Sequence, residues 1–414
     1  MSQYDICIVG SGMVGATLAC ILADSDETLS IALIDNALPC SQPELLDAKD
    51  KPQFDLRVSA ITRASENIFR NTGVWEIIES LRVSPYRDMH VWDAVGNGVV
   101  HFDSADIAES SLGHIIENNV IQYALQQRLA AFDNVTVLAP VQCKKLIEND
   151  NQMVLLLDDE QVITCSLIVG ADGSHSWLRK QAKIMKRGWD YDQAALVCYV
   201  ETEKPHQETA WQRFMPSGPL AFLPLQKNYS SIVWSTTPEH AEELKTMAKG
   251  DFRKALTIAS DNFLGDIKSC SHRAVFPLRF FVVENYIKPN LALIGDAAHT
   301  IHPLAGQGVN LGLADAAALA QTLIDARSVG KEVNRFSMLR QYERWRKADN
   351  LAIMAAMDGF KNLFGSELNA VRDLRNMGMN LVNQLPLVKN TVIKQAMGLS
   401  GDLSRFASRE AGLN

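Results

Sequence analysis

Three glycine-rich segments, far apart in the chain, carry residues suited to holding a phosphorylated ligand. The first is Gly10-Ser-Gly12-Met-Val-Gly15, which follows an apolar run (Tyr4 to Val9) and opens a stretch of helix-forming composition (Met13 to Ala23). In a strand–turn–helix, Gly10 permits the tight turn, Gly12 lets a pyrophosphate approach the backbone, and Gly15 lets the helix pack on the strand. Unpaired N–H groups at the positive end of the helix then face the phosphate. Asp35 closes a second apolar run, Leu29 to Ile34, where an acid accepts from a ribose hydroxyl. The second segment is Gly170-Ala-Asp172-Gly173, and the third is Gly295-Asp296-Ala-Ala-His299. The third continues through His302, Pro303, Gly306, Gly308, Val309 and Asn310 into another helical pattern. Each Asp follows an apolar strand, where a carboxylate can accept from sugar-like hydroxyls at the sheet's carboxyl edge. Alone, each could be a capping Asp in an ordinary turn; together they fit one ligand with a pyrophosphate at one end and a polyol in the middle. His299 and His302 flank a glycine turn, a setting in which histidine is as often structural as catalytic.

These segments need a parallel sheet to bring them together. Strand, glycine turn, helix and strand over residues 4–34 make a βαβ unit. Helical spacing predicts a helix over Asn118 to Phe132, and Val135 to Leu138, Met153 to Leu157 and Val162 to Val169 are expected strands. From about 190 to 285 the chain turns to short strand-like runs (Ala195 to Val200, Leu220 to Leu225, Ser231 to Ser235) broken by Pro and Gly. That pattern predicts a mostly antiparallel sheet inserted in the nucleotide-binding part, with a hairpin from Met89 to Phe102 joining it. Leu291 to Ile294 returns to a buried strand, a long helix starts near Gly308, and residues from about 335 onward are helical. The expected division is 1–85, 106–187 and 286–365 for a discontinuous Rossmann-like α/β domain. Residues 86–105 and 188–285 form the β-sheet substrate domain, and 366–414 a helical C-terminal segment.

Composition narrows the function further. At 47% hydrophobic and 21% charged, the chain has the make-up of a globular protein with a sizeable core. A net charge of −8 argues against nucleic acid as a partner, which demands a basic face. The seven cysteines are scattered with no CxxC pair, which suits core thiols in a reducing compartment better than zinc or disulfides. No HExxH or Cys/His cluster suggests a metal, and no GxSxG elbow suggests a nucleophilic serine. Ile6 to Leu22 is apolar but glycine-broken and without a basic flank, unlike a secretory leader, and no run of about 20 apolar residues predicts a membrane span. A cytoplasmic protein is expected, with the mixed apolar and basic segment 366–414 a candidate for peripheral contact with the inner membrane or for partner docking.

The combination of the three segments resembles the group A FAD-dependent aromatic hydroxylases, the para-hydroxybenzoate hydroxylase fold. More narrowly, Arg57-Val-Ser-Ala-Ile61, Gly73-Val-Trp75, Gly113 to Asn118, Ile121-Gln122, Gly295 to Gly312 and Lys394 to Gly398 resemble the ubiquinone-biosynthesis hydroxylases. Within that family the likeness is greatest to the branch that hydroxylates carbon C5 of a polyprenylphenol. The resemblance implies an FAD cofactor held by Gly10, Gly12, Gly15 and Asp35 at its ADP part, by Asp172 near the pyrophosphate, and by Gly295 and Asp296 at the ribityl chain. Backbone N–H groups of Gly308, Val309 and Asn310 would meet the flavin's pyrimidine edge, and Arg57 and Gln122 would also contact the cofactor. Pro303 and His302 would lie beside the flavin; no catalytic base is named. The implied reaction is monooxygenation of a prenylated phenol by O2 through a flavin C4a-hydroperoxide, with a reductant such as NAD(P)H bound transiently. Other ubiquinone-biosynthesis proteins would be partners. Hydroxylation of another ring carbon, a flavin-dependent reductase and a non-catalytic FAD-binding assembly subunit stay open as alternatives.

Overall fold

The computed structural model describes residues 2–43, 52–149, 151–300, 308–365 and 368–408. Strand β1 (Ser2–Val9), helix α1 (Met13–Ser25) and strand β2 (Ile31–Ile34) form the opening βαβ unit. Next come β3 (Val58–Thr62), α2 (Arg63–Asn71), α3 (Trp75–Leu81) and β4 (Ser84–Tyr86), then a hairpin of β5 (Asp88–Asp93) and β6 (Val99–Asp103). Strand β7 (Gly113–Glu117) leads into α4 (Asn118–Leu129). Four strands follow: β8 (Val135–Leu138), β9 (Cys143–Asn149), β10 (Gln152–Leu157) and β11 (Val162–Gly170). After the short α5 (Trp177–Gln181), a long β12 (Lys186–Thr202) begins a run with β13 (Thr209–Met215), β14 (Gly218–Pro224) and β15 (Tyr229–Thr236). Helices α6 (Pro238–Thr246) and α7 (Lys249–Ala259) precede β16 (Ile267–Cys270) and β17 (Ala274–Val283). The last strands are β18 (Ile287–Lys288), β19 (Leu291–Leu293) and β20 (His299–Thr300). Helices α8 (Gly308–Ser328), α9 (Phe336–Gly365), α10 (Asn369–Gln384) and α11 (Pro386–Ala396) end the described chain.

The first sheet runs β18-β19-β11-β1-β2-β8, with β10 and β9 added beside β11. Its strands β19, β11, β1, β2 and β8 are parallel, and the central segments 6–9, Ile31–Ile34, 167–170 and Leu291–Leu293 are continuously apolar and buried, as strands covered on both faces must be. Helices α1 and α8 bury Leu18, Ile21, Leu22, Leu313, Ala317 and Leu319 against it. The second sheet has nine strands in the order β20-β17-β12-β15-β14-β13-β5-β6, with β16 on β12, and is antiparallel except for β13 beside β5. A third small sheet, β3-β7-β4, stands apart from both ladders.

Two features depart from the expected strands. Helices α6 and α7 lie inside the run read as sheet, and they cover one face of it through Leu244, Phe252 and Leu256. The edge of β6 is not left open: Asn376, Asn380 and Asn383 of α10 accept from the N–H groups of Gly98 (2.7 Å), Val99 (3.1 Å) and His101 (3.1 Å). Three asparagines at helical spacing thus cover an edge that would otherwise be free to pair with another strand. Arg375, on the same helix, reaches Asp93 at the end of β5 in a fully buried pair.

Candidate functional site

Register in the parallel sheet decides where the three glycine segments meet. Val9 pairs with Ile34 on one side and Gly170 on the other, and Gly170 pairs with Leu293. The next residues (Gly10, Asp35, Ala171 and Ile294) therefore leave one carboxyl edge side by side. Asp172, Gly295 and Asp296 follow within two residues. Open α/β sheets bind ligands at such an edge.

At the first turn Gly10 has φ of +107°, and a Cβ there would lie 2.4 Å from the Ala171 carbonyl oxygen. A Cβ on Gly15 would lie 1.9 Å from the Gly10 oxygen, so backbone packing demands glycine at both positions. Gly12 is different. It caps α1 with φ of −64°, which any residue can adopt, and a Cβ there would meet nothing within 4 Å. Among the described residues no side chain caps this helix and no acid sits in its first turn, so the N–H groups of that turn are left for a ligand. Asp35 adjoins the turn: one carboxylate oxygen accepts from Ser11 N (2.6 Å) and Ser11 Oγ (2.9 Å), the other from Ala37 N (2.9 Å).

At the second turn Asp172 Oδ2 accepts from Leu178 N at 3.0 Å, while its Oδ1 is buried without a hydrogen-bond partner. Arg179 staples this turn to the third, donating to Ser174 O (2.8 Å) and Ala297 O (2.7 Å). Gly295 has φ of +57° and donates its N–H to Asp315 Oδ2 at 3.0 Å. Asp296 keeps one side open to solvent, yet protein atoms crowd it. That desolvation raises its carboxyl pKa, and His299 and Arg57 pull it partly back. Arg57 is itself exposed, with no ion pair within 4 Å among the described residues. Its backbone oxygen accepts from Asn118 N (2.9 Å) at the start of α4. Gln122, half-buried, follows one turn later.

Gly308 and Val309 begin α8, with open space above Gly308. The Asn310 side chain is buried and turned to the protein, accepting from Thr62 N (3.1 Å) and donating to Ala60 O (2.8 Å). A cofactor contact here falls to the backbone N–H groups, and the amide instead clamps β3 against α8. His302 and Pro303 lie outside the described residues. His299 is a buried structural residue, its Nε2 2.5 Å from Asp315 Oδ2.

Asp315 and Arg346 went unread in the sequence, and Arg179 ends the second glycine segment, Gly170 to Arg179, without a role assigned to it. Burial pushes the Asp315 carboxyl up, but His299 and Arg346 outweigh it and hold it well below the ordinary carboxylate range. Arg346 Nε sits 2.8 Å from Asp315 Oδ1, and Asn350 Nδ2 donates to the same oxygen at 3.1 Å. One buried carboxylate thus anchors the Gly295 turn from beneath. A lone Asp in the apolar run from Leu311 to Ala320 was the available signal.

The arrangement fits a dinucleotide: a helix end and the space at Gly12 for a pyrophosphate, and an orphaned Asp172 oxygen and Asp296 as acceptors for hydroxyls. Residues 3–356 match the family described as FAD binding domain. The chain is 37% identical to the 3-demethoxyubiquinol 3-hydroxylase of Escherichia coli (strain K12), over 95% of this chain and 98% of that one. It is 34% identical to the ubiquinone hydroxylase UbiL of Rhodospirillum rubrum (95% and 89%) and 33% identical to the mitochondrial ubiquinone biosynthesis monooxygenase COQ6 of Rattus norvegicus (95% and 90%). The crystal structure of p-nitrophenol 4-monooxygenase PnpA from Pseudomonas putida DLL-E4 superposes with a TM-score of 0.77 over 96% of this chain and 99% of that one; at 15% identity it shows the shared fold. This chain is accordingly an FAD-dependent monooxygenase that belongs to the aromatic-ring hydroxylases of ubiquinone biosynthesis.

Proposed function

We propose that this enzyme hydroxylates the ring of a polyprenylated phenol at C5, with the ADP part of FAD on Gly10, Gly12, Gly15 and Asp35. In this reading Asp172 lies near the pyrophosphate, Gly295 and Asp296 hold the ribityl chain, and Arg57 and Gln122 also contact the cofactor. The first N–H groups of α8, at Gly308, Val309 and Asn310, favour the negative charge of reduced flavin. Residues 1–85, 106–187 and 286–365 would hold the cofactor and 86–105 with 188–285 the substrate. FAD supplies the oxygen-activating chemistry, and NAD(P)H would visit transiently as reductant.

One observation carries the substrate reading: an apolar cavity shares a wall with the cofactor segments. Ala60, whose carbonyl accepts from Asn310, lines it, together with Met89, Ile115 and Leu223 and with Ile393 of α11 and Met397 just beyond that helix. Such a lining excludes water and receives a prenylated ring. Burial pushes the Tyr86 hydroxyl in this cavity up to about 12, so it keeps its proton and serves as a donor.

The test is to purify the protein with its flavin and supply a prenylated phenol, a reductant and ¹⁸O2. Product carrying ¹⁸O at C5 is expected. Label at another carbon would favour the second reading, suggested by the Escherichia coli relative, whose name places its hydroxyl at position 3 of a demethoxyubiquinol. Oxidation of the reductant without labelled product would leave a reductase, and a flavin that resists reduction would leave an assembly subunit.

No described helix is long and apolar enough to cross a membrane. Contact with the inner membrane from the cytoplasm would fall to α10 and α11, where Leu374, Met377, Leu381, Leu385 and Val388 are exposed at helical spacing. Arg372 and Lys394 on these helices, unlike the buried Arg375, are free to meet an anionic lipid surface in a chain of net charge −8. The protein is expected to float with vesicles containing phosphatidylglycerol, and a Leu374→Ser/Met377→Ser/Leu381→Ser variant to stay behind. Flotation that survives these changes would direct the face toward another ubiquinone-biosynthesis protein.

A further inference from the structure

Strand β13 alternates faces, as an extended chain must. Trp211 and Arg213 point toward the layer of α7: the Trp211 ring is 4.5 Å from that of Phe263, and Arg213 Nη1 donates to Ala259 O at 2.8 Å. Ala210, Gln212 and Phe214 take the opposite, inner face. Gln212 pairs in register with Ala221 on β14 and Val91 on β5, both buried and apolar. It is only 5% exposed, lines the apolar cavity, and its Oε1 is buried with no hydrogen-bond partner among the described residues. An unsatisfied buried amide oxygen costs about 1–3 kcal/mol, so its retention on an apolar face calls for an explanation. None of the residues lining the cavity carries a charge. The site therefore offers no counter-ion to a carboxylated ring, while a neutral amide can accept from a phenol and donate to a ring oxygen.

Resting on the prenylated-phenol reading above, we infer that Gln212 is a positioning residue whose amide accepts the substrate's phenolic O–H and so fixes which ring edge faces the cofactor. Apart from Gln212 and the Tyr86 hydroxyl, a proton donor, the cavity lining is almost wholly apolar, and apolar contact alone does not set the rotation of a ring. A single directional bond does, because turning the ring would leave both the amide and the hydroxyl unpaired.

The test is calorimetric titration of the FAD-loaded protein with 2-farnesylphenol and with its O-methyl ether, which lacks the donor. Wild type should prefer the phenol by roughly threefold to tenfold, the effect of one hydrogen bond. Gln212→Met, of similar length, should bind both equally at unchanged flavin content and melting temperature; Gln212→Glu, which keeps an acceptor, should restore the preference. In turnover, Gln212→Met should scatter the hydroxylation among ring positions. A preference that persists in Gln212→Met would overturn the inference and leave the amide to an ordered water. Should that variant lose its flavin, wild type decides: a preference below about twofold overturns it. Labelled product with an unchanged preference sinks this inference alone, whereas binding of neither probe sinks the prenylated-phenol reading with it.

Discussion

Gly12→Asp should fold and lose the flavin. Gly12 has ordinary extended backbone, and a side chain there meets no protein atom within 4 Å. Aspartate is a better helix cap than glycine, and its charge suits the positive end of α1, so the apoprotein should be as stable as wild type or slightly more so. The same carboxylate would occupy the space proposed for the pyrophosphate. Two anions brought together cost several kcal/mol, so FAD affinity should fall by at least about a hundredfold. Gly15→Ala is the contrast: its Cβ would sit 1.9 Å from the Gly10 oxygen, and that variant should lose the fold of the turn itself. Melting curves of the apoproteins and titration with FAD separate the two. Gly12→Asp that binds FAD as wild type does would remove the pyrophosphate from this turn.

That contrast also explains how much of the molecule was legible in the sequence. The glycine segments were readable because backbone sterics tie Gly10 and Gly15 to one local geometry, and each acid lies a fixed short distance beyond its strand. What no local pattern held was the alignment of Val9, Ile34, Gly170 and Leu293 in one row, since strand order is a tertiary choice. Helix α6 was missed although Thr237-Pro238-Glu239 carries a cap, a proline at the first turn and an acid; the surrounding strand-like runs outweighed it. The Asn310 side chain carries a further job that no local pattern showed, because its amide is spent on Thr62 and Ala60. Nothing in the local sequence singles out Gln212. Only the second sheet, with α7 taking the Trp211 face, turns it inward.

Asp315→Asn should destabilise the protein by about 3–5 kcal/mol, the cost of breaking a buried ion pair from one side. The carboxylate is fully buried and joins four partners: the Gly295 N–H, His299, Arg346 and Asn350. An asparagine keeps the volume and one acceptor, but it leaves the buried Arg346 guanidinium with only the partly exposed Asp349 carboxylate, 3.0 Å away, as charge partner. The pH dependence has a definite sign. Because His299 and Arg346 hold the folded carboxyl below its unfolded value, the unfolded chain takes up the proton first. The stabilisation is therefore complete above the unfolded pKa of about 4 and is lost as pH falls below it. The gap between wild type and Asp315→Asn should be widest near neutrality and narrow in acid, which a merely steric defect would not do. Arg346→Met in the Asp315→Asn background should recover part of the loss, since it removes a buried charge that has lost its buried counter-ion. FAD should rescue the variant only partly, because the Gly295 turn that presents Asp296 loses its anchor in the same change. A loss below about 1 kcal/mol, or a gap indifferent to pH, would mean that the Gly295 turn holds its shape without the buried carboxylate.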